Sequence, residues 1–137
     1  FTVINKRPLF IVDGAHNAGA ADKMAESVRH YFNGKKQIYI MGVFADKEYK
    51  IVLEKTAHFA EKIYTIETPD NPRALPAEEL AKAARVYNSS AESTKSIKDA
   101  VEKAFSCAGD DENSVILAFG SLSFIGALTD AVEEYVG

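Results

Sequence analysis

Leu9-Phe10-Ile11-Val12-Asp13-Gly14-Ala15-His16-Asn17 is the stretch that decides the fold of this chain. Its apolar half reads as a buried strand, which stops at a carboxylate, a glycine, an imidazole and an amide. From Ala18 the period changes: Ala21, Met24, Ala25, Val28 and Phe32 recur at helical spacing until Asn33-Gly34 closes the run. A strand that passes through a short polar turn into a helix is the unit of an open α/β sheet, where ligands bind at the carboxyl ends of strands. The helix start at such a turn adds backbone N–H groups and a positive dipole end. Residues 13–17 therefore read as a binding or catalytic loop.

The same alternation extends in both directions. Strands are expected at 2–5, 9–12, 37–41, 62–67 and 114–119, with a weaker one at 89–93. Helices are expected at 18–32, at 48–61 with Ile51, Val52, Phe59 and Ala60 facing in, and after Pro76 with Leu80, Ala81 and Ala84. Two more follow, at 94–108 with Ile97, Ala100, Val101, Ala104 and Phe105, and at 123–136 with Ile125, Leu128, Val132 and Tyr135. Only Lys6-Arg7-Pro8 separates the first two strands, too short for a crossover, so that pair is antiparallel. The expectation is one α/β domain over 1–137: a Rossmann-like three-layer sandwich, its sheet of about six strands mostly parallel with an antiparallel first strand.

Composition narrows the function. The chain has 137 residues, 47% of them hydrophobic, enough for one real core. Sixteen basic against twenty acidic residues give a net charge of −4 without long blocks, which argues against nucleic acid or an anionic membrane as partner. No apolar run approaches the roughly 20 residues of a membrane span. The single cysteine, Cys107, excludes an internal disulfide, fits a reducing compartment, and reads as packing. A cytoplasmic location is the expectation. The chain opens on Phe1 directly in strand-like sequence, which reads as a domain cut from a longer polypeptide.

Loops that follow parallel strands share one edge of the sheet. Those loops carry Asp13-Gly14-Ala15-His16-Asn17, then Gly42-Val43-Phe44-Ala45-Asp46-Lys47, then Thr68-Pro69-Asp70-Asn71-Pro72-Arg73, then Gly120-Ser121-Leu122-Ser123. Loops on the opposite edge, such as Asn33-Gly34-Lys35-Lys36, read as connectors. Each rim residue also has a structural reading. Asp13 or Asn17 caps the next helix, His16 is a satisfied loop histidine, 70–73 is a turn with an exposed arginine, Lys47 is a solvated charge, and Ser121 is a helix cap. Their joint placement on one rim favours function. There is no G-x-x-x-x-G-K-[ST] phosphate cradle, no G-x-G-x-x-G and no G-x-S-x-G elbow. His16, His30 and His58 are too widely spaced for a structural zinc site.

Read as an ordered set, Asp13-Gly14-Ala15-His16-Asn17, Met41-Gly42-Val43 with Asp46-Lys47, Asn71-Pro72-Arg73-Ala74-Leu75 and Gly120-Ser121-Leu122 make the chain similar to a known family. It resembles the C-terminal domain of folylpolyglutamate synthases, in the Mur ligase superfamily of ATP-dependent amide ligases. Two departures stand out: Ala18 follows Asn17 where proline is frequent, and Ser123 stands where the family often has tyrosine.

The resemblance implies an ADP-forming ligase. ATP would phosphorylate the terminal carboxylate of a folate glutamate tail, and the amine of L-glutamate would displace phosphate. The phosphate cradle and the Mg2+ ligands would lie in an N-terminal domain outside this chain, so the isolated domain would be inactive. Asp13 and Asn17 would contact the nucleotide. His16 would be the catalytic residue and would face the amino acid, with Arg73 and Ser121 binding glutamate; Asp46, Lys47 and Asp70 are further candidates. No residue of the chain is assigned to a metal. The implied partners are ATP, L-glutamate, a reduced folate and the chain's own N-terminal domain, in a monomer. Two alternatives stay open: a Mur-type cell-wall amino-acid ligase, in whose branches tyrosine commonly replaces Gly14, and a non-catalytic α/β binding module.

Overall fold

The computed structural model describes residues 1–45 and 48–137, and among them six strands form one sheet in the order β1-β2-β6-β3-β4-β5. The strands are β1 (Thr2–Lys6), β2 (Leu9–Val12), β3 (Lys36–Met41), β4 (Lys62–Thr65), β5 (Glu92–Ser93) and β6 (Ser114–Phe119). Between and after them run α1 (Ala18–Tyr31), α2 (Tyr49–Thr56), α3 (Ala77–Ala84), α4 (Ile97–Ala108) and α5 (Ile125–Val136). β1 pairs antiparallel with β2, and every other pairing is parallel. The expected mostly parallel α/β sandwich with an antiparallel first strand is the architecture observed.

Period-2 alternation separates two cores across the sheet. Ile11, Tyr39, Met41, Ile63, Val115, Leu117 and Phe119 point to the side covered by α1, α2 and α3. Phe10, Val12, Ile38, Ile40, Tyr64, Ile116 and Ala118 point to the side covered by α4 and α5. Because β2, β3 and β6 are sandwiched on both faces, they read in sequence as unbroken apolar runs.

Several boundaries differ from expectation for local reasons. β4 ends at Thr65 rather than residue 67, although the Ile66 N–H still donates to the Met41 carbonyl at 2.8 Å. β5 shrinks from five expected residues to Glu92 and Ser93 at the sheet edge, where no further strand rewards extension. The helix expected at 48–61 gives way at Thr56 to a 3-10 turn, Ala57–Phe59. Its inward face is Val52, Leu53 and Thr56, and this rotation turns Ile51 out to solvent. Tyr135 likewise lies exposed near the end of α5, where its ring stacks on Phe105 at 4.5 Å. Ser96 caps α4 by accepting the Asp99 N–H, which starts that helix three residues late.

The sheet order creates the site. β2 and β3 are followed by helices on one face, whereas β6, lying between them, is followed by α5 on the other. The chain therefore diverges on either side of β6 at its carboxyl end, the place where open α/β sheets leave a crevice.

Candidate functional site

The residues flanking that crevice are tied together mainly by backbone. The Asp13 N–H donates to the Ala118 carbonyl at 2.9 Å, joining the first rim loop to β6. The loop after β3 and the loop after β4 zip to each other: Ala45 N–H to Arg73 carbonyl at 2.7 Å, Leu75 N–H to Val43 carbonyl at 3.0 Å, with Phe44 opposite Ala74. Gly120 sits at φ 115, and a Cβ there would lie 2.4 Å from the Gly42 carbonyl oxygen. Only glycine lets the loop after β6 pass so close to the loop after β3.

Within the first loop each polar side chain has a local task. Asp13 accepts the Ala15 N–H at 2.8 Å, closing an Asx turn. Asn17 accepts the Ala20 N–H at 2.9 Å and caps α1. His16 places Nδ1 at 2.9 Å from the Gly14 carbonyl oxygen. Since that oxygen can only accept, the contact assigns the hydrogen to Nδ1 and, in the neutral ring, the lone pair to Nε2. In the loop after β6, Ser121 is 4% exposed, accepts the Ser123 N–H at 3.2 Å and lies 2.8 Å from the Ser123 hydroxyl.

A cleft of about 270 Å³ opens among these loops, lined by His16, Phe44, Arg73, Gly120, Ser121, Leu122 and Ser123. It gathers three of the residues selected from sequence, His16, Arg73 and Ser121, from loops after β2, β4 and β6. Asp13, Asn17 and Asp70 are not among its lining residues. Asp70 adopts a left-handed φ of 56 in an exposed turn, and Asn71 accepts the Arg73 N–H at 2.9 Å. Asp46 and Lys47 lie outside the described residues. Sequence reasoning missed Phe44, whose ring centroid is 4.9 Å from the Arg73 guanidinium carbon. It also missed Leu122, 66% exposed on the cleft wall. A large apolar side chain in the otherwise small and polar run Gly120-Ser121-Leu122-Ser123 was the available signal for Leu122; Phe44, between Val43 and Ala45, carried none.

Among the described residues, no group whose titration shifts lines this cleft. Burial drives the Tyr39 phenol above its ordinary value, and its hydroxyl donates to Gln37 Oε1 at 2.8 Å. Burial, reinforced by Cys107 and Glu92, pushes Tyr64 up to about 12. Hydrogen bonds from Lys62 and Lys103 hold the Glu92 carboxyl below the usual range, a tie between β4, β5 and α4. Among the described residues, no three His, Cys, Asp or Glu side chains gather as a metal site would require, and no helix is long and apolar enough to cross a membrane.

Sheet order and rim together define an open α/β domain with a ligand-sized cleft at the carboxyl ends of its strands. A family model described as "Mur ligase, glutamate ligase domain" matches residues 1–122, and the chain belongs to that family. Its relatives include the dihydrofolate synthase/folylpolyglutamate synthase of Bacillus subtilis, 28% identical over 90% of this chain and 27% of that protein. Among solved structures, E. coli FolC in complex with DHPP and ADP superposes with a TM-score of 0.85 at 20% identity, over 100% of this chain and 31% of that one. A bifunctional folylpolyglutamate synthase/dihydrofolate synthase with Mn, AMPPNP and L-glutamate bound gives 0.82 at 23% identity, over 97% and 31%. The chain thus spans about a third or less of the proteins it matches.

Proposed function

We propose that this domain is the amino-acid-binding part of an ATP-dependent glutamate ligase of the folylpolyglutamate synthase type, working within a longer cytoplasmic polypeptide that supplies the phosphate cradle. The observation that carries the reading is the cleft that brings His16, Arg73 and Ser121 together from three separate loops. A guanidinium offers a planar fork that matches a carboxylate in two parallel hydrogen bonds, so Arg73 is the grip for the incoming amino acid. The lone pair of His16 Nε2 then serves the amino group, the end of the ligand that must be held and stripped of a proton before it attacks. Ser121, already held by Ser123, supports a polar contact at the cleft floor.

Among the described residues no three His, Cys, Asp or Glu side chains gather, so this chain offers magnesium no cage of its own there. The remainder of the polypeptide would hold the ion and the ATP phosphates, with Asp13 and Asn17 at the edge that meets the nucleotide. When bound, ATP converts a carboxylate of the folate tail into a better acyl donor. This chain holds the amine against it and, by closing over the site, keeps out water.

The test is ADP release by the complete polypeptide with tetrahydrofolate and Mg-ATP, with and without L-glutamate. Glutamate-dependent release, with a folate product one glutamate longer, is the expected result. Glutamate-dependent turnover on a nucleotide-linked muramyl substrate instead of folate would replace this reading with the cell-wall ligase. Absence of any nucleotide turnover would leave a plain binding module. The isolated domain is expected to release no ADP.

A further inference from the structure

We propose that Ser123 presents the hydroxyl that meets a carboxylate of the incoming amino acid, with Ser121 as the positioning residue behind it; this rests on the reading of the cleft as the amino-acid site. Both serines line that cleft, but the fold exposes them unequally. Ser121 is 4% exposed, and Phe124 is fully buried. These two anchors pin the chain on either side of Leu122 and Ser123, which are exposed. Upstream, Gly120 passes so close to the Gly42 carbonyl that the start of the loop is held against the loop after β3. The Ser123 side chain thus stands on a short segment anchored at both ends, and less ordering entropy is lost when a ligand binds there.

The chemistry of the two hydroxyls sets the order of contacts. Ser121 Oγ accepts the Ser123 N–H at 3.2 Å and lies 2.8 Å from Ser123 Oγ. Either oxygen of that pair can be the donor, and each hydroxyl has a single hydrogen. An ionised carboxylate decides the direction, because it only accepts. The exposed hydroxyl of Ser123 gives its hydrogen to the anion and accepts from Ser121. Ser121 Oγ keeps a lone pair for the Ser123 N–H. Both hydroxyl hydrogens are then used, and the two bonds polarise each other in one direction. In the reverse order Ser123 would spend its hydrogen on Ser121 and turn lone pairs toward the anion.

The experiment is steady-state kinetics on the complete polypeptide. Ser123→Ala is expected to raise the KM for L-glutamate about 10-fold, the lower end for a hydrogen bond to a charged group, with the KM for ATP unchanged. Ser123→Thr keeps the hydroxyl and should hold that KM within about 2-fold of wild type. Ser121→Ala removes only the bond behind the contact. It should raise the KM for glutamate about 2- to 3-fold, and add nothing in the Ser123→Ala background. Where Ser121→Ala fails to fold, Ser123→Ala against Ser123→Thr decides alone. A larger rise for Ser121→Ala than for Ser123→Ala, or equal rises for the Ala and Thr variants of Ser123, would overturn the proposal. So would penalties that add in the double variant, or a matching rise in the KM for ATP. If Arg73→Ala raises the KM for glutamate and Ser123→Ala does not, the role of Ser123 falls and the cleft stands as the amino-acid site. If neither variant moves it, the reading of the cleft has failed and Ser123 with it.

Discussion

The two ends of the sheet spend their polar residues differently. The amino end holds the larger hollow, about 480 Å³ lined in part by Lys6, Arg7, Asp110, Asp111 and Glu112, against about 270 Å³ at the carboxyl end. Yet beside that hollow, side chains add three ties to one backbone bond, from the Lys36 N–H to the Asn113 carbonyl at 2.9 Å. Lys35 Nζ donates to Asn113 Oδ1, Asn113 Nδ2 to the Gly34 carbonyl, and Lys36 Nζ to the Cys107 carbonyl. At the carboxyl end the backbone joins the loops, from Asp13 to Ala118, Ala45 to Arg73 and Leu75 to Val43. Where main chain holds the loops, side chains are not needed for that purpose and can be selected for a ligand. A third hollow of about 500 Å³, between α2 and α3, exceeds both, so volume alone does not mark the rim.

The strongest challenge to this contrast is a pair of glycines. Gly120→Ala at the carboxyl end meets the Gly42 carbonyl and a left-handed backbone, and should lose about 3 kcal/mol or more of stability in denaturant titrations. Gly34→Ala at the amino end also has a positive φ but open space around it, and should lose only about 1–2 kcal/mol. Equal losses would mean that the close approach of the rim loops is not what demands glycine.

Next in size is Arg73→Ala, expected to raise the KM for glutamate about 10- to 150-fold, the effect of deleting a charge-assisted pair, with little change for ATP. Lys6→Ala and Arg7→Ala beside the larger hollow should change neither constant. A matching rise in both constants for Arg73→Ala would remove the assignment.

Tyr39→Phe tests the claim that polar groups buried elsewhere serve stability. It strands Gln37 Oε1 and should lower stability by about 1–3 kcal/mol at neutral pH without altering kinetics. The folded phenol titrates above its unfolded value of about 10. The native state thus holds the proton more tightly, and this contribution is present below pH 10 and is lost as pH rises toward the folded value. The Phe variant should accordingly lose less stability between neutral and strongly alkaline pH. A slope identical to wild type would exclude Tyr39 as a source of alkaline sensitivity.

The smallest effect separates cap from ligand. Asn17→Ala should lower stability by about 0.5–2 kcal/mol and Asn17→Asp should restore it. Full stability in the alanine variant would mean that the amide is spent on a ligand.

How far the sequence carried the argument follows from burial. β2, β3 and β6 were legible because both faces are covered, which forces apolar residues at every position. Edge strand β5 was not, since two residues at a margin carry no period. The rim was legible because strand-following loops must share an edge, and His16, Arg73 and Ser121 do meet there. The competing cap readings of Asn17 and Ser121 also hold, as both accept the backbone N–H groups expected of caps. The Phe44–Arg73 contact was hidden because it depends on how two loops pair, and no local pattern encodes that. Nor does any local pattern reveal that β6 inserts between β2 and β3.

That insertion has a kinetic consequence. β2 and β3 appear early in the chain but have no direct pairing; each is joined to the sheet through β6, residues 114–119. A nascent chain that has not yet reached Phe119 holds two unjoined pieces, a β1-β2 hairpin with exposed apolar faces and a separate β3-β4-β5 unit. Closing them requires contacts of long sequence separation, which fold slowly and expose sticky strand edges in the interval. β6 works as a keystone, and destabilising it should slow refolding and favour aggregation before any loop of the rim is affected.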